Sequence, residues 1–145
     1  MISHVVLVVS DMQASEAFYL ALLRPLGFRK ADAVVGQYTR LTNGADAVLV
    51  LSPLEDAYAG LAHHRRGVGM NHLAFRAPSQ AALDEIVEAM RERGVRPLGE
   101  GRVETGYRGL YDTVAFEDPD RIMVEVVCHG EGYFEATTDG LFPDA

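Results

Sequence analysis

The feature that most constrains this chain is that it nearly repeats itself. His4 opens an apolar run, HVVLVV, and a helical segment follows that closes in LGF at Leu26 to Phe28; His72 opens HLAFRA, and a helical segment follows that closes in RGV at Arg93 to Val95. The step from histidine to closing glycine is 23 residues in the first half, His4 to Gly27, and 22 in the second, His72 to Gly94. Self-similarity at a near-fixed offset marks an internal repeat. Each repeat reads as strand, helix and several further strands, and strand clusters that no crossover helix separates exclude a doubly wound parallel sheet. The order predicts an α+β fold of paired βαβββ modules, a curved mixed sheet forming a cup with the helices outside.

Local signals support that order. His4 to Val9 is rich in β-branched residues and ends at Ser10-Asp11, which predicts a strand. Asp11 or Ser15 can cap the helix that follows, where Phe18, Ala21, Leu22 and Leu26 share a face and Pro25 disfavours helix at Arg24. Gln37 to Leu41 and Ala47 to Leu51 are strand candidates split by Thr42-Asn43-Gly44, a hairpin signal. The Gly-bearing stretch Leu54 to Met70 is the connection, with room for a short helix. In the second half Leu83, Ile86, Val87 and Met90 fall at helical spacing, with Ser79 as cap and Gly94 after the end. Strand candidates follow at Arg102 to Thr105, Leu110 to Phe116 and Ile122 to Val127, the last preceded by the turn Asp118-Pro119-Asp120.

A net charge of −8 argues against nucleic acid or an anionic membrane as partner, since both reward clustered Lys and Arg. The one basic cluster, His63 to Arg66, reads as a solvated loop or a basic rim. Cys128 is the single cysteine, so no intramolecular disulfide forms and a reducing cytoplasm is the expected compartment. No apolar run reaches transmembrane length, and no basic leader with a long apolar region opens the chain. Neither a phosphate-binding glycine loop before a helix nor a serine nucleophile elbow is present.

Two histidines in equivalent places and a glutamate in the last strand are the residues that carry chemistry. Two imidazoles and one carboxylate can hold one face of a divalent metal and leave the other positions open. Glu125 is set among Val124, Val126 and Val127, and an ionised carboxylate in such a strand needs a partner; either a metal or Arg76 can supply it. Strand alternation places Ala74 and Arg76 on the face of His72, and Tyr111 and Thr113 on the face opposite Val114 and Phe116. That polar face either lines the cup or is an ordinary solvent face.

The opening HVVLVVSDMQASEAFY with LLRPLGF, the second-half MNHLAF and the closing FEDPDRIMVEVV together resemble the vicinal oxygen chelate superfamily, the glyoxalase, bleomycin-resistance and extradiol-dioxygenase group. The resemblance covers the chain to about His129. It implies one domain over residues 1–145, with module 1 over about 1–53, a connection over about 54–69, module 2 over about 70–128 and a tail over 129–145. It further implies His4, His72 and Glu125 as ligands of one divalent ion (Fe, Mn, Ni, Co or Zn) and a homodimer. Glu125 and Tyr111 are then the catalytic candidates, and Arg76 and Thr113 the substrate-binding ones. In glyoxalase I a fourth ligand comes from the strand matching Ala47 to Leu51, where this chain has Val50, which cannot bind metal. Arg121 stands where the family's turn usually has glycine, and a non-glycine residue in left-handed conformation costs about 1 kcal/mol.

The function implied is a divalent-metal-dependent enzyme, glyoxalase-like or dioxygenase-like, acting on a small chelating substrate. The alternative is a metal-free protein of the bleomycin-resistance type that sequesters a small molecule. A fosfomycin-type thiol transferase ranks lower, because the sequence near the closing strands holds no evident basic cluster for a phosphonate.

Overall fold

In a computed structural model, which describes residues 2–45, 48–61, 63–99, 103–104 and 111–130, the chain forms two four-stranded mixed sheets, each carrying one helix. The first half runs β1 (Val5–Val9), α1 (Met12–Leu23), β2 (Arg29–Val34), β3 (Tyr38–Thr42) and β4 (Val48–Pro53); the second runs β5 (His72–Ala77), α2 (Gln80–Glu92), β6 (Val103–Glu104), β7 (Tyr111–Glu117) and β8 (Met123–His129). Strand orders are β1-β4-β3-β2 and β5-β8-β7-β6, so the two halves share one topology. In each, the first strand pairs in parallel with the last and the remaining pairs are antiparallel. The sheets do not close into a barrel. A short 3-10 turn at Asp56–Tyr58 lies in the connection.

The cause of this arrangement is visible strand by strand. Leu7 and Val9 of β1, Leu49 and Leu51 of β4, and Val124, Val126 and Cys128 of β8 are buried, while the residues between them are open or half-buried apart from Val127. That period of two sends one face of each sheet to the helices and the other away from them. Helix α1 adds Phe18, Tyr19, Leu22 and Leu23, and α2 adds Leu83, Ile86 and Met90, to one core continuous across both halves. The helices pack on each other as well as on their sheets, and the rings of Phe28 and Phe75 meet edge to face at 5.7 Å. Each fully buried leucine of this set contributes roughly 1.5–3 kcal/mol.

The helix ends follow the chemistry read from the sequence. The Asp11 carboxylate accepts from the Ala14 amide at 2.9 Å and the Ser79 hydroxyl from the Ala82 amide at 3.2 Å; Ser15 is instead buried under α1. Pro25 ends the α-helix at Leu23, and the chain finishes in a 3-10 turn, Arg24–Leu26. Gly27 and Gly94, the repeat's closing glycines, both have left-handed φ, 81° and 74°, which a side chain at Cβ would strain. Strand β2, which no sequence signal delimits, pairs with β3 through a bulge between Lys30 and Asp32. Of the strand expected at Arg102 to Thr105 only β6 is described, and residues 131–145 of the expected tail lie outside the described residues.

Candidate metal and ligand site

The open face of the second sheet is ordered in rows by the strand register. Glu117, Met123 and His72 form one row, Ala115, Glu125 and Ala74 the next, and Thr113, Val127 and Arg76 the third; Tyr111 and His129 are paired beyond them. Parallel pairing of β5 with β8 therefore places His72 diagonally across from Glu125. Their side chains meet, His72 Nε2 lying 3.5 Å from Glu125 Oε2. The second Glu125 oxygen accepts from the Thr113 hydroxyl at 2.6 Å, and Thr113 also donates to the Val126 carbonyl at 3.2 Å. The Glu125 side chain is only 13% exposed and that of His72 40%, so the carboxylate is recessed and the imidazole stands at the opening. His72 Nδ1 lies 2.7 Å from the Asn71 side-chain oxygen, which fixes the ring so that Nε2 faces the carboxylate.

His4 lies elsewhere. It precedes β1, on the face where Val6 and Val8 are about half exposed, and its Nδ1 lies 3.0 Å from the Ser3 hydroxyl. With Arg76 it lines a cavity of about 640 Å³ at the seam between the two sheets, floored by Leu26, Phe28, Leu49 and Phe75. Among the described residues no group of three His, Cys, Asp or Glu side chains is close enough to hold one ion. Of the candidates read from the sequence, one chain thus brings together His72, Glu125 and Thr113, and separately His4 and Arg76. Tyr111 starts β7, where it pairs with His129, but its side chain lies outside the described residues. His129, at the end of β8, is half-buried, and burial, aided by the charge of Arg76, holds its imidazole below the ordinary value of 6.5.

Two features were not foreseen from the sequence. The first is Asp118, buried at 4% exposure, which accepts from the Tyr19 hydroxyl at 2.8 Å and from the amides of Asp120 and Ile122 at 2.9 and 2.8 Å. Burial raises the Asp118 pKa against the opposing pull of these donors, and burial together with the Asp118 charge pushes the Tyr19 phenol well up. This bond and that of the Ser10 amide to Asp120, 3.0 Å, tie the first half to the turn that feeds β8. The pairing of FY in α1 with ED before β8 is in the sequence, but only the helix's position over both sheets makes it a contact. The second is a basic cluster beside the closing strands, where none was expected: His63, His64, Arg65, Arg66 and Arg121 surround Glu117 in a pocket of about 260 Å³. The connecting loop folds back to supply it, and no local spacing in the sequence signals that return.

Comparison with known proteins agrees with this architecture. Residues 1–126 match the family described as Glyoxalase/Bleomycin resistance protein/Dioxygenase superfamily. The uncharacterised Bacillus subtilis protein YqjT is 35% identical over 130 residues, covering 86% of this chain and 95% of its own length. The crystal structure of a glyoxalase-type protein from Bacillus halodurans is 33% identical with a TM-score of 0.78, over 88% of this chain and 95% of that one. The fosfomycin resistance protein FosX from Mesorhizobium loti shares the fold at 18% identity and a TM-score of 0.66, over 93% of this chain and 97% of that one. The chain belongs to the glyoxalase/bleomycin resistance protein/dioxygenase superfamily, within the vicinal oxygen chelate fold.

Proposed function

We propose that the protein is a divalent-metal-dependent enzyme of glyoxalase or dioxygenase type, acting on a small chelating substrate through His4, His72 and Glu125, with each site shared between two copies of the chain. The observation that carries this reading is the His72–Glu125 pair. A recessed carboxylate needs partners, and here they are one hydroxyl and one imidazole. A divalent ion would complete the set, and imidazole nitrogens with a carboxylate oxygen suit Fe, Mn, Ni, Co or Zn. His4 holds the equivalent place on the other sheet, on a face that leaves Val6 and Val8 open. A second copy laid over that face would bring His72 and Glu125 to His4 and cover the valines, which favours a homodimer. Val50, half-buried on β4, offers no fourth ligand and favours three protein ligands with the remainder for substrate.

When bound, the ion supplies Lewis-acid polarisation of substrate oxygens. The chain's own residues do the rest. Thr113 fixes the orientation of the Glu125 carboxylate, Asn71 that of His72, and the valines of the ligand face exclude water. Arg76 is the candidate for binding a polar or anionic part of the substrate. Tyr111, paired with His129 at the start of β7, is the candidate catalytic acid or base beside Glu125. The reading places the protein in a reducing cytoplasm, where the buried Cys128 stays a thiol.

Elemental analysis tests it. About one divalent ion per chain is expected, lost in His4→Ala, His72→Ala and Glu125→Ala. Mixing unfolded His4→Ala and Glu125→Ala chains and refolding them together should restore about a quarter of the wild-type metal, the statistical yield of a symmetric dimer. No metal in the wild type after reconstitution would overturn the reading. A second reading, sequestration without turnover, is favoured by the apolar floor of the 640 Å³ cavity. It predicts small-molecule binding that survives chelator treatment and the Glu125→Ala change.

A further inference from the structure

We infer that the pocket enclosed by the connecting loop and the β7–β8 turn is an anion-recognition site, which takes the oxyanion end of a small substrate whose other end lies at the His72–Glu125 pair. The pocket is lined by His63, His64, Arg65, Arg66, Glu117 and Arg121. Arg65 donates to Glu117 at 2.6 Å and Arg121 Nε lies 3.9 Å from the other Glu117 oxygen. Three guanidiniums against one carboxylate leave the pocket positive even with both imidazoles neutral, on a chain whose net charge is −8. A local field of opposite sign to the whole molecule draws a small anion to one place on the surface. Guanidinium forks suit an oxyanion in particular, because they donate two parallel hydrogen bonds to it.

Three observations set this pocket apart from an ordinary solvated rim. It belongs to the ligand face: Glu117 is in the row of Met123 and His72, two strand spacings or about 10 Å from His72. It is physically joined to the metal-site pair, since the Asn71 side chain that contacts His72 also donates to the Arg65 carbonyl at 3.0 Å. And one of its arginines sits under strain. Arg121 is the one non-glycine residue with positive φ, 66°, among the described residues, in a turn that a glycine would make without strain. Backbone strain of this kind is held where the side chain has work to do, and here the Arg121 side chain reaches the pocket. At about 30 Å³ per water, a pocket of about 260 Å³ admits a phosphate-sized group with several waters. The inferred substrate is therefore a small molecule with a phosphate, phosphonate or carboxylate about 10 Å from its chelating oxygens.

The second half of that inference rests on the metal-site reading, whereas the pocket itself does not, and the experiment separates them. Chelator-treated protein is titrated with inorganic phosphate, with sodium chloride at equal ionic strength as control, while histidine ring resonances are followed by NMR. Saturable phosphate-specific shifts of His63 and His64 are expected. Arg121→Gly, which removes the strain and keeps the turn, and Arg65→Ala should each weaken phosphate at least tenfold, while Arg91→Ala on the far helix leaves it unchanged. Phosphate shifts no larger than those with chloride, or wild-type affinity in Arg121→Gly and Arg65→Ala, would overturn the pocket. Divalent-ion binding, measured separately on Arg121→Gly, should persist. Phosphate binding in a protein that takes up no metal would support the pocket and sink the metal-site reading alone.

Discussion

Glu125 shows how one side chain is made ready by its neighbours. Its carboxylate cannot reach bulk water freely, and the Thr113 hydroxyl holds one oxygen at 2.6 Å, so the other is aimed at His72. If this arrangement serves a metal, removing the hydroxyl while keeping the shape should loosen the site without unfolding the protein. Thr113→Val is expected to lower divalent-ion affinity by about 10- to 100-fold, the usual loss when a ligand's supporting partner is removed, with little change in the circular dichroism spectrum. A variant that binds metal as tightly as the wild type would show that Thr113 only shapes the strand. Glu125 was legible in the sequence because a carboxylate among valines contradicts its surroundings. The part played by Thr113 was not, since its face could be read but the β7–β8 register that sets it opposite Val127 could not. Arg121 was visible as a departure from the expected glycine, and the structure adds the positive φ and the pocket it lines.

Among the elements, legibility tracked burial pattern. Helix α2 announces itself through apolar residues at helical spacing with a cap at each end, and β1, β4 and β8 through alternation or β-branched runs. Strand β2 has almost no buried residue, so its sequence carries no period, and its place is set by backbone pairing to β3. The hairpin signal at Thr42-Asn43-Gly44 did find the β3–β4 connection, where the Gly44 amide bonds to the Thr42 hydroxyl at 3.0 Å. The contrast predicts where truncation hurts. Leu51→Ala, in the fully buried row of β4, is expected to lower unfolding stability by about 2–5 kcal/mol, whereas Val34→Ala at the exposed end of β2 should change it by less than about 0.5 kcal/mol. Urea denaturation of both variants checks the pair, and equal losses would mean that β2 is packed by something other than its own sheet.

At the scale of the whole molecule, the two halves are held together by the shared helical core and by the bonds of Tyr19 and Ser10 to the Asp118-Pro119-Asp120 turn. His129 gives this assembly a pH dependence. Its folded pKa is depressed by burial and then by Arg76, so in the window below the ordinary value of 6.5 the unfolded chain binds a proton that the folded chain refuses. Stability should therefore fall as pH drops from about 7 toward 5. His129→Gln should flatten that slope in thermal unfolding measured across the window, and an unchanged slope would place its origin in other groups. The repeat, the fold class and the family were all legible from the chain. The return of the connecting loop onto Glu117 was not, because it depends on contacts 52 residues apart, Arg65 to Glu117.

The alternation of the strands has a consequence for how this protein can change over generations. On β1 and β4 the buried residues that hold the core and the open or half-buried ones of the other face are interleaved one by one along the same backbone. Substitutions at Val6, Val8, Val50 or Ala74 can change the open face while Leu7, Val9 and Leu51 continue to specify the fold. Such a chain can vary one face of its sheets without first losing its shape.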